Sequence, residues 1–337
     1  MRVLLLRTWI TNIGNGFIDK GARVTIERAF PDAEIIEVSG HGNMAAVRRA
    51  KGILPNITSD RDEGSFGGLH DSTEGRSPLS GVVNVADLTE FDIAVLPGCV
   101  LYEHALEKYY KILKKIRSES IPLVLLGAGG GDYSDSTQRY VRQFIDEIEP
   151  AAIITRDSTA YDCYSDEAKY TSDGIDNAFF INEWYDPPSS DVDYDVATFD
   201  KTNPDVDSER DIIYSDHYPF EQPYGNLWQK FKKHMKQRRI FDRKNYFLSD
   251  TLEDYLFLYS NARVTYSDRI HACVPTLAYG NRAQFTFDTP RGELFEKVIS
   301  DDIHSGPVSL DNSLIRRLKN EQVEAFKRAV ETSDTNI

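Results

Sequence analysis

Pro122-Leu123-Val124-Leu125-Leu126-Gly127-Ala128-Gly129-Gly130-Gly131-Asp132 is the stretch that decides the fold. Its apolar run reads as a strand buried on both faces, as in a parallel sheet covered by helices. The glycine-rich turn that ends it leads, past the capping groups Ser134 and Asp135, into helical spacing over 136–148. Outward from this unit the same alternation recurs, with strands expected at 2–6, 33–38, 91–96 and 151–155 and helices at 18–29 and 103–118. A second series has strands at 211–215, 245–248, 263–266 and 283–287, helices at 223–237, 251–259 and 271–279, and a closing helix at 312–331. Such alternation predicts an α/β protein of two Rossmann-like lobes with parallel sheets, a cleft between them, and ligands at the carboxyl ends of the strands. The lobes are expected at 1–182 and 211–337, joined by an acidic linker over 183–210 that contains Pro187-Pro188-Ser189-Ser190. Residues 55–87, rich in Gly, Ser and Asp, are too long for an ordinary connection and read as a lid or an insertion.

Composition narrows the function classes. The 337 residues hold 54 acidic against 39 basic side chains, a net charge of -15. A field of that sign repels nucleic acid, so no nucleic-acid partner is expected. Acidic loops of this density suit a halophilic protein, since they hold hydration where salt screens charge strongly; an ordinary acidic enzyme is the alternative. No run approaches the roughly 18 uncharged apolar residues of a spanning helix, and Arg7 interrupts the start too early for a signal-peptide core. The expected location is cytoplasmic. Three scattered cysteines, Cys99, Cys163 and Cys273, exclude a disulfide scaffold, and histidines 41, 70, 104, 217, 234, 271 and 304 lack ligand spacing. No metal or other cofactor is expected. Asp191-x-Asp193-x-Asp195 reads as linker solvation rather than as a metal site.

Four motifs could carry chemistry. The turn Gly127–Asp132 follows a strand and precedes a helix, where the amides of Gly129 and Gly130 could cradle an anion, yet it lacks the last glycine of a dinucleotide fingerprint and any Walker lysine. The run 12–22 enters the first helix with Gly14 and Gly16, whose missing side chains admit a close approach, and Thr11, Asn12 and Asn15 offer neutral hydrogen bonds. A structural turn alone accounts for those glycines but leaves the flanking asparagines unexplained. Arg156, just past a strand end, presents a planar fork suited to carboxylate or phosphate; a capped helix start with a surface ion pair is the alternative. The sharpest signal is 266–280, where Arg269 and His271 stand between a strand and a small-residue helix, able to face an anion at that helix's positive end.

The run S-D-R-I-H-A-C-V-P-T-L-A-Y-G over 267–280 resembles the C-terminal signature of the polysaccharide pyruvyl transferase family, a Ser-x-Arg-Leu-His-Ala block before an Ala-rich helix. N-I-G-N-G-F-I-D-K-G-A over 12–22, G-A-G-G-G-D over 127–132 and T-R-D-S over 155–158 are similar to that family's other motifs, in the same order. The sequence departs at Asn15, where the family often has Asp, and at Gly280-Asn281-Arg282, where it has Gly-x-Pro. The resemblance implies a GT-B-like fold and transfer of pyruvate from phosphoenolpyruvate, as a ketal, to a saccharide of a surface polysaccharide or N-linked glycan. It implies Arg156, Arg269 and His271 as donor contacts, with Asn12, Gly14, Asn15, Gly129 and Gly130 lining the substrate site. His271 would act as acid or steady the departing phosphate. Asp19, Asp157 and Asp268 are the candidate bases. The alternatives are a nucleotide-sugar glycosyltransferase of the same fold and a non-catalytic glycan-binding derivative. The basic island of Lys230, Lys232, Lys233, Lys236, Arg238, Arg239, Arg243 and Lys244 fits a solvated helix face, or else a lipid-linked acceptor or peripheral contact at the inner membrane face.

Overall fold

The computed structural model describes residues 1–8, 12–40, 85–202, 204, 206, 208–217 and 244–334. Thr11, the helix expected at 223–237, the insertion at 55–87 up to residue 84, and the basic island except Lys244 lie outside the described residues.

The first lobe runs β1 (Arg2–Arg7), α1 (Ile13–Ala29), β2 (Glu34–Ser39), β3 (Ile93–Pro97), α2 (Glu103–Ser118), β4 (Leu123–Ala128), α3 (Asp135–Ile148), β5 (Ala152–Thr155), α4 (Ser158–Tyr164) and β6 (Tyr170–Asp173). A 3-10 turn, Asn177–Phe180, and the short α5 (Ile181–Trp184) complete it. The second holds β7 (Tyr194–Thr198), β8 (Asp211–Ser215), β9 (Tyr246–Phe247), α6 (Leu252–Asn261), β10 (Val264–Ser267), α7 (Ile270–Ala278) and β11 (Arg282–Phe285), after which comes the final α8 (Asn312–Asp334). The sheets have the orders β2-β1-β3-β4-β5-β6 and β11-β10-β7-β8-β9. Every named pairing is parallel. The α/β reading with two parallel sheets therefore holds.

Strand periodicity divides the core. Leu4, Leu6, Leu96, Leu125 and Ile153 face α2 and α3 in one apolar cluster. Their neighbours Val3, Leu5, Val95, Val124 and Ile154 point to the other face. There they join a cluster that runs without a break through Phe17 of α1 into Leu252 and Tyr255 of α6 and Cys273 of α7. The lobes thus share a core, and α1 is the element between them.

Two expectations of domain layout need correction. The acidic linker contains β7, which lies between β10 and β8 in the second sheet. Its charged flanks disguised it: Asp195 is buried, accepting from the Val264 amide at 3.0 Å and from Ser208 at 2.6 Å, so it is neither a solvation residue nor a metal ligand. Asp191 and Asp193 fit the solvated reading: both are exposed, and Asp193 pairs on the surface with Arg210 and Arg263. The closing helix α8, expected in the second lobe, returns to the first. There Gln322 accepts from the Ile175 amide at 2.6 Å and donates to Asn177 at 2.9 Å, gripping the residues on both sides of Asp176.

Helix α1 approaches the 3-10 turn so closely that a Cβ added at Gly21 would collide with the Asn177 carbonyl. Because that obstacle is backbone, it cannot rotate aside. Gly21→Ala should therefore cost about 1–3 kcal/mol through overpacking. Urea unfolding of the variant checks this, and an unchanged midpoint contradicts it.

Candidate active site

The residues with chemistry gather at the carboxyl ends of strands, where an α/β sheet exposes unpaired loops. Arg156 follows β5, Asp176 follows β6, Asp200 follows β7, His217 follows β8, and Arg269 and His271 follow β10.

Asp176 is the hub. It is fully buried, and its Oδ2 accepts from Arg156 Nη1 at 3.0 Å and from His271 Nε2 at 3.3 Å. Its Oδ1 accepts from the Ala178 amide at 2.9 Å. Burial by itself would raise this carboxyl, but His271, Arg156 and the Ala178 amide outweigh it and hold the group down to about 2. The first lobe thereby presents a fixed negative charge to a histidine of the second. Because an ionised carboxylate only accepts, Nε2 of His271 carries the proton in this contact.

His271 departs from helical geometry at the second residue of α7, with ψ of 16°. Pro275, four residues on, has no amide to offer its carbonyl, which accounts for the departure. On the other side, a Cβ added to Gly14 would stand 2.7 Å from His271 Cβ. Gly14 is therefore small to seat the histidine, and Gly16 to seat Leu252, not to admit a ligand to the main chain. The amides that open α1 are also engaged: Ile13 donates to the His217 carbonyl at 3.0 Å, Gly14 to Asn12 Oδ1 at 3.1 Å and Asn15 to the Asn12 carbonyl at 3.0 Å. Asn12 is the helix cap, and Asn15 donates from its side chain to the Thr8 carbonyl at 3.2 Å. An aspartate could not make that last bond, which accounts for asparagine here.

The glycine-rich turn departs from its expected role in the same way. The Gly129 amide donates to the Gly98 carbonyl at 3.3 Å and the Gly130 amide to the Tyr133 hydroxyl at 2.9 Å, so neither is left to cradle an anion. Gly129 instead makes room for the side chain of Arg156. Arg156 is only 1% exposed, which departs from the expectation of a guanidinium open to the cleft. Its position past the end of β5 matches the sequence reading; its burial beneath Asp176 does not.

Arg269 is 11% exposed at the side chain and lies 3.1 Å from Asp200 and 3.8 Å from Asp216. The loop that carries Asp200 is pinned by Asp268, which accepts from the amides of Asp200, Lys201 and Thr202 at 2.6–2.8 Å. Asp268 is thus a loop anchor. Asp157 caps α4 through the Ala160 amide at 2.7 Å, and buried Asp19 holds the Thr8 amide and hydroxyl. All three expected bases are committed to the backbone or to a neighbouring hydroxyl.

His217, passed over in the sequence as one of several scattered histidines, sits beneath this cluster. Its Nε2 lies 2.6 Å from the Tyr259 hydroxyl, in a buried network with Thr198 and Ser215. Burial first, then the positive charge of Arg269 and His271, holds it well below the ordinary histidine value. It stays neutral in the folded protein while the unfolded chain takes up a proton as pH falls below 6.5. Stability should therefore fall with acid, with His217 contributing about 1 kcal/mol of loss between pH 6.5 and 5.5 that His217→Gln removes. Urea unfolding at pH 6.5 and 5.5 measures the difference, and equal losses in the two proteins contradict it.

Among the described residues no helix is long and apolar enough to cross a membrane, and no group of three or more His, Cys, Asp or Glu side chains could hold a metal ion.

Comparison with known proteins adds to this geometry. Residues 12–280 match the sequence model of the polysaccharide pyruvyl transferase family. No curated protein sequence matches the chain. Among solved structures it is similar to S. aureus MnaA in complex with UDP, at 12% identity over 98% of this chain and 90% of that one, with a TM-score of 0.50. UDP-N-acetylglucosamine 2-epimerase from Rickettsia bellii gives 14% identity, 99% and 94% coverage and a TM-score of 0.48. KP1_0663, a functionally uncharacterised protein of Klebsiella pneumoniae, gives 15% identity, 87% and 85% coverage and 0.45. At these identities the likeness concerns the two-lobed, GT-B-like fold alone.

Proposed function

The chain belongs to the polysaccharide pyruvyl transferase family, and we propose that it moves pyruvate from phosphoenolpyruvate onto a saccharide as a ketal. Membership makes it a transferase-like enzyme with a saccharide acceptor. One observation carries the finer reading: Asp176 joins Arg156 and His271, residues of two family motifs in two lobes, into one hydrogen-bonded line, two residues from Arg269 of the same motif as His271.

In this reading Arg269 supplies the charge that receives the donor's carboxylate or phosphate, and Asp200, 40% exposed at the side chain, is the partner an incoming anion replaces. His271 gives a proton to the methylene carbon of phosphoenolpyruvate, leaving a cation at C2 stabilised by the attached oxygen. A saccharide hydroxyl adds to C2 and its proton restores the histidine. The C2–O bond to phosphate then breaks, with the electron pair leaving on phosphate. A second hydroxyl adds to C2, and its proton leaves with the phosphate. Asp176 holds the imidazole by Nε2, which leaves Nδ1 for the substrate, and Arg156 acts on the reaction only through Asp176. The two cations meeting the donor then come from the second lobe, not one from each.

Phosphate release from phosphoenolpyruvate, measured with and without a panel of saccharides, tests the proposal. Release that depends on saccharide, with one pyruvyl group gained by the sugar in mass spectrometry, is the expected result. Response to nucleotide sugars instead, or glycan binding with no release, contradicts it.

A further inference from the structure

The segment after β11 crosses from the second lobe to the first. Thr159 donates to Glu293 in its 3-10 turn, Pro290–Phe295, and beyond it Lys297 donates to the Gly174 carbonyl at 2.6 Å and pairs with Asp173 at 2.6 Å. Arg291, exposed, is carried by this strap onto the glycine-rich turn. A Cβ added at Gly131 would stand 2.5 Å from Arg291 Nη2 and 2.8 Å from Nε, so the guanidinium lies directly against the turn at this glycine. Glycine at 131 thus lets a guanidinium from the opposite lobe rest on the turn's main chain. Arg291 Cζ also stands 5.8 Å from the centroid of the Tyr102 ring, within range of a cation–π contact.

No carboxylate among the described residues pairs with Arg291. The turn's own acid, Asp132, is engaged by the Ser134 amide and by the Ser134 and Thr137 hydroxyls at 2.8–2.9 Å. Two residues back along the turn, against Gly129, Arg156 is buried and committed to Asp176. The turn thus carries two arginines of opposite character: one sunk beneath it and paired, one resting on it and open. A guanidinium fork held in place with no protein anion to satisfy it is matched by a carboxylate or a phosphate on a ligand. Since the reading above assigns phosphoenolpyruvate to Arg269 and His271, that anion belongs to the acceptor.

We propose that Arg291 is a specificity residue that selects saccharide acceptors bearing a negative charge, a carboxylate or a phosphate, on the platform of Gly131 and Tyr102. The assignment to the acceptor rests on the donor site proposed above. Direct binding to the full-length protein at low salt tests it, with methyl glucuronide, glucose 1-phosphate and methyl glucoside as probes. At least one charged probe should bind roughly tenfold tighter than the neutral one, and which of the two does so identifies the charged group. Arg291→Gln should erase that preference, Arg291→Lys should keep part of it, and phosphoenolpyruvate affinity should be the same in all three proteins. Equal affinity of the wild type for charged and neutral probes overturns the proposal. So does a loss of phosphoenolpyruvate affinity in Arg291→Gln, which would place the residue at the donor. Because binding is read without turnover, a failure of the proposed transfer reaction leaves the charge preference measurable by itself.

Discussion

Replacing Asp176 with alanine should destabilise the protein by about 3–5 kcal/mol, the cost of removing one partner from a buried ion pair. The change strands Arg156 in the core with Asp157 as its remaining acid, 3.6 Å from Nε, and at the same time releases His271. Turnover should fall with stability. Asp176→Asn separates the two effects, since the amide keeps the volume and one acceptor oxygen but loses the charge. For that variant kcat should fall while KM for phosphoenolpyruvate changes little, as expected of a residue that positions the histidine rather than touching the donor. Urea unfolding with steady-state kinetics measures both. Wild-type kcat in Asp176→Asn would show that the cross-lobe contact has no part in catalysis.

Arg269→Ala should lower kcat/KM by roughly 10^2–10^3-fold, the scale seen when one group that stabilises developing negative charge is removed. The substitution removes the cation that offsets Asp200 and Asp216, so a multiply charged donor meets a more negative site with no guanidinium to receive it. Arg269→Lys should recover part of the loss, because the point charge returns without the planar fork. Folding should be affected less than in Asp176→Ala, since Arg269 lies at the surface of the shared core rather than inside it.

The strand and turn pattern made the fold legible because parallel strands buried on both faces leave long apolar runs that few other structures produce. β7 was hidden for the opposite reason. Asp195 breaks its apolar run, and only the fold reveals that the Val264 amide and Ser208 satisfy that carboxylate. The Arg-x-His motif was legible because its residues lie close in sequence and directly follow a strand. Asp176 was not, because the sequence reading placed no strand at 170–173 and so had no carboxyl end on which to locate it. Asp176 is also tied to residues 20 and 95 positions away, a pairing that spacing does not encode. His217 could have been found, since it stands two residues past the expected strand at 211–215. Gly14 and Gly16 read as close-approach positions, but their partners proved to be protein, His271 and Leu252, and Gly129, read as part of an anion cradle, makes room for Arg156.

Calorimetric titration of phosphoenolpyruvate into the wild type and into Arg269→Ala bears most directly on the donor site. Saturable binding to the wild type, weakened at least tenfold in the variant, is the predicted result. Absence of binding to the wild type, or equal affinity in both proteins, would contradict a donor site built on Arg269 and His271.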